Sequence, residues 1–386
     1  MITRRLTHSL PATIEFMGQA RHIAIAGGGI IGLSCALVLR SRGLQITVLE
    51  AGRAAKEASW AAGGMLAAED PENPAALLPL SRYSRNIYPE FLREIEALSG
   101  QRVSLRTHET VQTLHQETLE HAPEGSAGVL LSHEEARKLI RGLGDTEDRY
   151  LLLEEASLDP RELCAALRSA VLAAGVELRE QERVRSAVIE GDVVLLTTED
   201  RTLRTDAFIN CCGAWAPLLD RSLEVAPRKG QMLVLAQPES SPPLTRVLRS
   251  PEIYLIPRGD GRILVGATVE DAGYSKQVEP DALGLLRRRA ARLWPPAADA
   301  RQVDGWAGLR PGTADALPVI GCYTDGNYLR LVATGHFRNG ILLAPGTAHA
   351  IADLVCGRTP AVDLAPFAPH RASPSPACDN HFAAAL

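Results

Sequence analysis

The 386-residue chain has no C-x-x-C spacing among its seven cysteines, and their odd number leaves one without a mate. Neither a zinc site nor a disulfide framework is expected, and a reducing, cytoplasmic setting suits the thiols. No run reaches 18 continuous apolar residues, which excludes an evident membrane span. Residues 1–19 carry two arginines but no apolar core of signal-peptide length. Basic excess is missing too: 41 Lys and Arg face 46 Asp and Glu, a net charge of −5. That balance excludes a nucleic-acid protein working through a broad positive face, though not a local anion site. With 46% hydrophobic and 23% charged residues, disorder of the whole chain is excluded. The length favours two domains over one.

What is present begins with residues 22–26 (HIAIA), a short buried strand, followed by glycines, an apolar helical run to Leu39, Gly43 and a second strand at 45–50. This is a β-turn-α-β unit. A turn-rich stretch at 70–76 precedes a helix over 77–99, bent near Pro89; residues 101–155 mix short apolar runs, loops and one helix at 132–140. Asp159-Pro160-Arg161-Glu162 is a helix start that Gly175 ends. Strands are expected at 176–179, 184–189, 193–198 and 207–210, then at 231–235, 253–256 and 262–266. A helix over 281–293, a strand at 328–333 and a helix at 341–356 complete the pattern, which contains no internal repeat. The alternation implies an α/β Rossmann-type domain, discontinuous in sequence (21–100, 156–226 and 320–360), and an α+β domain with a mostly antiparallel sheet (101–155 and 227–319). Residues 1–20 and the Pro- and Ala-rich 361–386 are expected to be flexible, with Met17 offering an alternative start.

Gly27-Gly28-Gly29-Ile30-Ile31-Gly32 matches G-x-G-x-x-G between a strand and a helix. In that motif the first glycine makes the turn, the second lets a pyrophosphate approach, and the third allows close helix–strand packing. Phosphate would rest on the free N–H groups of the helix start. Glu50, 18 residues beyond Gly32, ends the second strand, where a carboxylate accepts from ribose hydroxyls and repels a 2′-phosphate. The unit leaves FAD and NAD open. The small-residue stretch at 59–66 suits a backbone running beside a flat ring system, although packing alone would tolerate it.

Four segments then resemble the glycine oxidase family of thiamine biosynthesis, within the D-amino-acid oxidase and sarcosine oxidase superfamily: GGGIIG at 27–32, SWAAGGMLAA at 59–68, GWAGLRPGTADALPVIG at 305–321 and GHFRNGILLAP at 335–345. The resemblance spans about residues 21–358. It implies FAD as cofactor and a separate antiparallel substrate domain. It also implies that Arg310 holds the substrate carboxylate, that Arg338 is a second substrate-side residue and that Tyr254 forms the pocket wall. Cofactor neighbours by the same resemblance are Gly27, Gly29, Ile30, Ile31, Gly32, Glu50, Ala51, Ala58, Ser59, Gly63, Gly64, Met65, Val184, Gly213, His336, Phe337, Arg338, Asn339, Gly340, Ile341 and Leu342. No metal site is implied. The superfamily's sarcosine oxidases attach flavin through a cysteine near the position of Leu309 and Arg310; none stands there, and Cys322 is too far along, so FAD is expected to be non-covalent.

Read from the residues alone, a guanidinium gives a planar fork for a carboxylate. Arg310 between Leu309 and Pro311 suggests partial burial, but a structural arginine paired with Asp304 or Asp315 fits the pattern as well. Asp353 or a backbone carbonyl is the corresponding alternative for Arg338, a satisfied core tyrosine for Tyr254, and an ordinary core methionine for Met65. The resemblance implies that His336 supports the flavin loop through the backbone and does not act as a base; Cys211 and Cys212 are expected to be packing thiols.

The resemblance implies oxidation of glycine and small primary or secondary amines by hydride transfer to FAD, with dioxygen reduced to hydrogen peroxide. The products are an imine, or glyoxylate and ammonia. A homo-oligomer, tetrameric by family habit, and hand-over of the imine to thiazole synthase follow from the same source. The competing expectations are a D-amino-acid or sarcosine oxidase, a quinone-linked D-amino-acid dehydrogenase and, in another class, a non-enzymatic flavin-binding protein.

Overall fold

A helical crossover returns the chain to the same end of a sheet, so two strands joined by one must pair in parallel. The computed structural model, which describes residues 21–114, 128–145, 149–191, 193–325 and 328–371, shows this for His22–Ala26 and Gln45–Leu49 across helix Ile30–Ser41. Ala207–Asn210 pairs in parallel on the other side of the first strand, followed by Tyr328–Thr334 and the antiparallel Val319–Asp325, while Glu177–Arg179 closes the opposite edge. This six-stranded sheet is a Rossmann-type layer assembled from three separated stretches of chain.

Side chains alternate across it, as strand geometry requires. Ile23 and Ile25 point into a core with helices Ile30–Ser41, Leu78–Ser99, Pro160–Ala173 and Gly340–Val355, whereas Ala24 and Ala26 face Val194 and Leu196 of a three-stranded meander. Helix Gly340–Val355 carries Pro345 in its interior, which removes the N–H that the Ile341 carbonyl would otherwise accept. The Tyr88 hydroxyl replaces it at 3.0 Å. One residue on, the Ser84 hydroxyl takes the Gly346 N–H at 3.0 Å and donates to the Leu342 carbonyl at 2.6 Å. Helix Leu78–Ser99 thereby splices the broken ladder.

The second sheet has eight strands in the order Arg301–Gly312, Ala226–Ala236, Arg262–Gly266, Ile253–Pro257, Val247–Ser250, Thr110–Leu114, Arg149–Leu153 and Val129–Leu131, antiparallel except where Val247–Ser250 meets Thr110–Leu114. One face packs Leu233, Leu235, Leu255 and Val265 against helix Pro280–Leu293. The other face carries a cross-strand row, Gln112, Arg249, Tyr254, Gly266, Met232 and Trp306, each opposite the next. Trp306 Nε1 donates to the Ala61 carbonyl at 3.1 Å, so this face meets the first domain.

Three expectations are corrected. The sequence pattern assigns no element to residues 301–312 and only 231–235 of Ala226–Ala236, whereas eleven registered pairs hold both as long strands. Residues 105–107, 110–114, 129–131 and 149–153, expected as runs and loops, are strands. The looseness expected from residue 361 onward does not hold to Arg371. Phe367 is buried, and Arg371 pairs with Asp315 at 2.7 Å and donates to the carbonyls of Leu317 and Pro318. Residues 1–20 and 372–386, also expected to be flexible, lie outside the described residues.

Candidate active site

The turn after the first strand is built by exclusion of side chains. At Gly27 φ is +102°, and a Cβ there would strike the Cys211 carbonyl; one on Gly32 would overlap the Gly27 carbonyl oxygen. Helix Ile30–Ser41 starts at Gly29 with no side-chain cap, and Ile30 N–H donates to Ser59 Oγ at 2.9 Å. Among the described residues the N–H groups of Gly29, Ile31 and Gly32 have no protein acceptor, the usual state of a helix start. Glu50 is anchored from both oxygens, accepting Gly28 N–H and Gly52 N–H at 2.8 Å each. Further lone pairs of that carboxylate remain for a ligand. Free donors, a turn that a Cβ at Gly27 or Gly32 would disrupt and an acid at the next strand end fit a dinucleotide.

Ala58 and Ser59 open the short helix Ala58–Ala61, and Ala51 follows Glu50 at the surface. Gly63 lies against the Tyr254 ring, where a Cβ would stand 3.4 Å away; Gly64 abuts the Leu158 carbonyl, and Met65 bridges to Ser157. Val184 packs with Ala26 and Leu49 just ahead of strand Ser186–Glu190, which starts two residues later than expected. Gly213 follows strand Ala207–Asn210, and its carbonyl accepts from Thr334 Oγ1 at 2.9 Å. Beyond that strand, Phe337 takes a positive φ of 43°, and Gly340, Ile341 and Leu342 begin the buried final helix.

Three of the arginine pairings left open by the sequence are not made. Asp315 is bound to Arg371, and Asp353 to Arg42 at 2.8 Å. Asp304 accepts the Gly305 N–H. Among the described residues no carboxylate forms an ion pair with Arg310; its Nη1 donates to the Thr268 carbonyl at 2.9 Å, and beside it lies Tyr254, whose hydroxyl donates to Met232 Sδ at 3.2 Å. Burial lowers its pKa, with Arg338 adding, while Tyr254 and Glu270 oppose. Burial raises that of Tyr254 against the pull of Arg310 and Arg338. The guanidinium sits over Gly230, where any Cβ would overlap it. Arg338, by contrast, is ion-paired: its Nη1 lies 3.3 Å from Glu72 Oε2, and next to it Asn339 Nδ2 donates to Asn73 Oδ1 at 2.9 Å.

His336 is no base candidate. It is buried, its Nε2 lies 3.0 Å from Thr347 Oγ1, and burial pulls its pKa to about 3. Burial pushes the Cys212 thiol up to about 12, and the cysteines of the described residues are free. No metal-ligating cluster occurs among the described residues.

Sequence reasoning missed several positioning groups. Arg258 donates to the carbonyls of Leu158 and Gly63 at 2.9 and 3.0 Å, holding the Gly63 segment. Arg249, opposite Tyr254 and 4% exposed, is enclosed by Gln112, Glu155 and Asp70. Its position in the IYLIPR run is the only signal that pointed toward Arg258; Arg249, Glu72 and Gly230 had none.

The profile of the family described as FAD dependent oxidoreductase matches residues 22–354. The chain belongs to the FAD dependent oxidoreductase family. The family's cofactor is FAD, and the glycine turn and Glu50 suit it. The chain is 34% identical over 370 residues to a glycine oxidase of Pseudomonas aeruginosa, covering 91% of this chain and 99% of that relative. It is 36% identical over 366 residues to the bifunctional protein ThiO/ThiG of a Synechocystis species, covering 92% of this chain but 54% of that relative. The chain thus spans about half the length of such bifunctional relatives. Among solved structures of the family, a glycine oxidase from Geobacillus kaustophilus superposes with a TM-score of 0.85 at 29% identity, covering 92% of this chain and all of that one. No helix among the described residues is long and apolar enough to cross a membrane.

Proposed function

We propose that this chain is a glycine oxidase that holds FAD non-covalently. The observation that carries the reading is Arg310: among the described residues no carboxylate is ion-paired with its guanidinium, which lies over Gly230 and beside Tyr254. A guanidinium fork without a carboxylate partner suits a substrate carboxylate.

Gly27, Gly29 and Gly32, with the helix N–H groups, would hold the pyrophosphate, and Glu50 the ribose. Ala58, Ser59, Gly63, Gly64, Met65 and the 336–342 segment would line the ring system, with Ala51, Val184 and Gly213 on the nucleotide side. When bound, FAD supplies the acceptor of two electrons from the substrate's α C–H and passes them to dioxygen. Arg310 fixes the carboxylate, so that the α carbon has one orientation in the cleft. Tyr254 limits the pocket and keeps its hydroxyl protonated, because burial disfavours the phenolate. Arg338, steadied by Glu72, adds positive charge at the second side. Hydride transfer asks no described side chain to take a proton from the α carbon, and the amine must react in its neutral form. In sum, glycine, dioxygen and water give glyoxylate, ammonia and hydrogen peroxide; without hydrolysis the imine is the product. The fused ThiO/ThiG relatives support hand-over of that imine to thiazole formation, and a homo-oligomer is the expected assembly.

A substrate panel followed by oxygen uptake, peroxide and product identity tests this. Glycine and sarcosine should outrun bulky D-amino acids, with oxygen and peroxide in equal amounts. Preference for D-phenylalanine, or turnover with a quinone or dye only, would move the chain to a neighbouring activity.

A further inference from the structure

The ladder between strands Ala226–Ala236 and Arg262–Gly266 runs from Ala236↔Arg262 to Met232↔Gly266 and stops there. Beyond it, the Gln231 N–H donates to the Thr268 hydroxyl at 2.8 Å, and the Thr268 N–H reaches the Gln231 carbonyl at only 3.4 Å. Regular pairing resumes at Lys229 and Glu270, which exchange both backbone bonds at 2.9 Å. Across this interruption the Thr268 carbonyl accepts from Arg310 Nη1. The Thr268 peptide is therefore one fixed hydrogen-bond anchor of the guanidinium, and its place depends on whatever fixes residues 268–270.

Buried charge fixes them. The Lys229 side chain is 1% exposed, with Nζ 3.2 Å from Glu270 Oε2 and 3.2 Å from Glu279 Oε1. Gln231, fully buried, uses both ends of its amide: Nε2 donates to Glu270 at 3.0 Å, and Oε1 accepts the Glu279 N–H at 2.7 Å. The Thr268 hydroxyl donates to the same Glu270 carboxylate. Enclosing a lysine is costly, even though its partners Glu270 and Glu279 remain 27% and 54% exposed. Fixed geometry is what such a network provides in exchange.

We propose that Lys229, acting through Glu270 and Thr268, is a positioning residue for binding of the substrate carboxylate: it holds the Thr268 carbonyl that aims Arg310. The proposal rests on the reading of Arg310 as the carboxylate clamp. It assigns Lys229 no contact with substrate.

The test uses FAD-loaded full-length protein at matched flavin occupancy. Wild type, Lys229→Met, Thr268→Val, Arg310→Ala and the Lys229→Met/Arg310→Ala double variant are compared. Acetate binding is titrated, and kcat/KM is measured for glycine and for ethylamine. Lys229→Met and Thr268→Val should each weaken acetate binding and glycine turnover by roughly tenfold or more, through misplacement of the clamp. Ethylamine, with no carboxylate, should change by less than about twofold. In the Arg310→Ala background, Lys229→Met should weaken acetate binding no further, because both changes break one interaction. Equal losses for glycine and ethylamine, or losses that add in the double variant, overturn the proposal and leave Lys229 a support of the fold. If Lys229→Met fails to fold, Thr268→Val, which deletes one hydroxyl, decides alone. If Arg310→Ala itself leaves acetate binding intact, the clamp reading falls and takes this proposal with it. If Arg310→Ala weakens binding but the other two do not, only the positioning role is lost.

Discussion

The Phe337 N–H donates to the Pro311 carbonyl at 2.9 Å, one residue from Arg338 on one side and one from Arg310 on the other. The loop before the final helix and the edge strand of the second sheet are thus fastened between the two arginines. Their separation is fixed by backbone, whatever their side chains do. The two differ in state: Arg338 already has Glu72, and Arg310 has only a carbonyl and a tyrosine.

Arg310→Ala should keep its FAD, because the glycine turn belongs to the other sheet. Loss of a charge-assisted bidentate pair costs roughly 1.5–3 kcal/mol, or about 10- to 100-fold in kcat/KM for glycine. Arg310→Lys should restore little, since an ammonium lacks the fork. Steady-state kinetics at equal flavin content checks this; an unchanged glycine kcat/KM would put the carboxylate elsewhere, with Arg338 next to be tested.

Purified protein should be yellow, and acid or heat should free FAD from a colourless precipitate. Glu50→Lys should weaken FAD retention during gel filtration, since it removes the ribose acceptor together with the anchors on Gly28 and Gly52. Colour that stays with the denatured polypeptide would contradict non-covalent binding.

His336 predicts a pH dependence of stability. Burial takes its pKa from 6.5 to about 3, so the unfolded chain binds more protons between those values. The neutral ring's contribution is complete above about pH 6.5 and is lost as pH falls toward 3. With FAD saturating, His336→Gln should show a smaller decline in Tm between pH 7 and pH 4 than wild type. Parallel declines would mean that the imidazole is protonated in the folded state without penalty.

Tyr88→Phe removes the hydroxyl that satisfies the carbonyl exposed by Pro345. A buried acceptor left unpaired costs about 1–3 kcal/mol. Urea unfolding should show that loss as a lower midpoint at unchanged slope, and no change would mean that water has entered in its place.

Local chemistry explains what was legible in advance. The glycine turn, Glu50 and the helix starting at Pro160 each depend on residues within a few positions of one another. Arg310 and Tyr254 were reached through the motifs around them. Thr268, Gly230 and Lys229 were not, because each matters only through register with a strand 37 to 80 residues away, and no local window contains both partners. The edge strand Arg301–Gly312 was hidden for the same reason: its glycines and prolines argue for turns until a partner is in place. Glu72 sat in a turn-rich stretch, and its partner Arg338 lies 266 positions on.

The three-part origin of the parallel sheet also sets a timetable for synthesis. Ile23 pairs with Ala207, and Ile209 in turn with Leu331. At about 5–20 residues per second, a ribosome needs roughly 10–40 s to deliver the first of those partners after the strand they complete. For that interval a nascent chain displays HIAIA with one side unpaired. The nucleotide-binding half, although it starts first, is the half that must wait for nearly all of the other to be made.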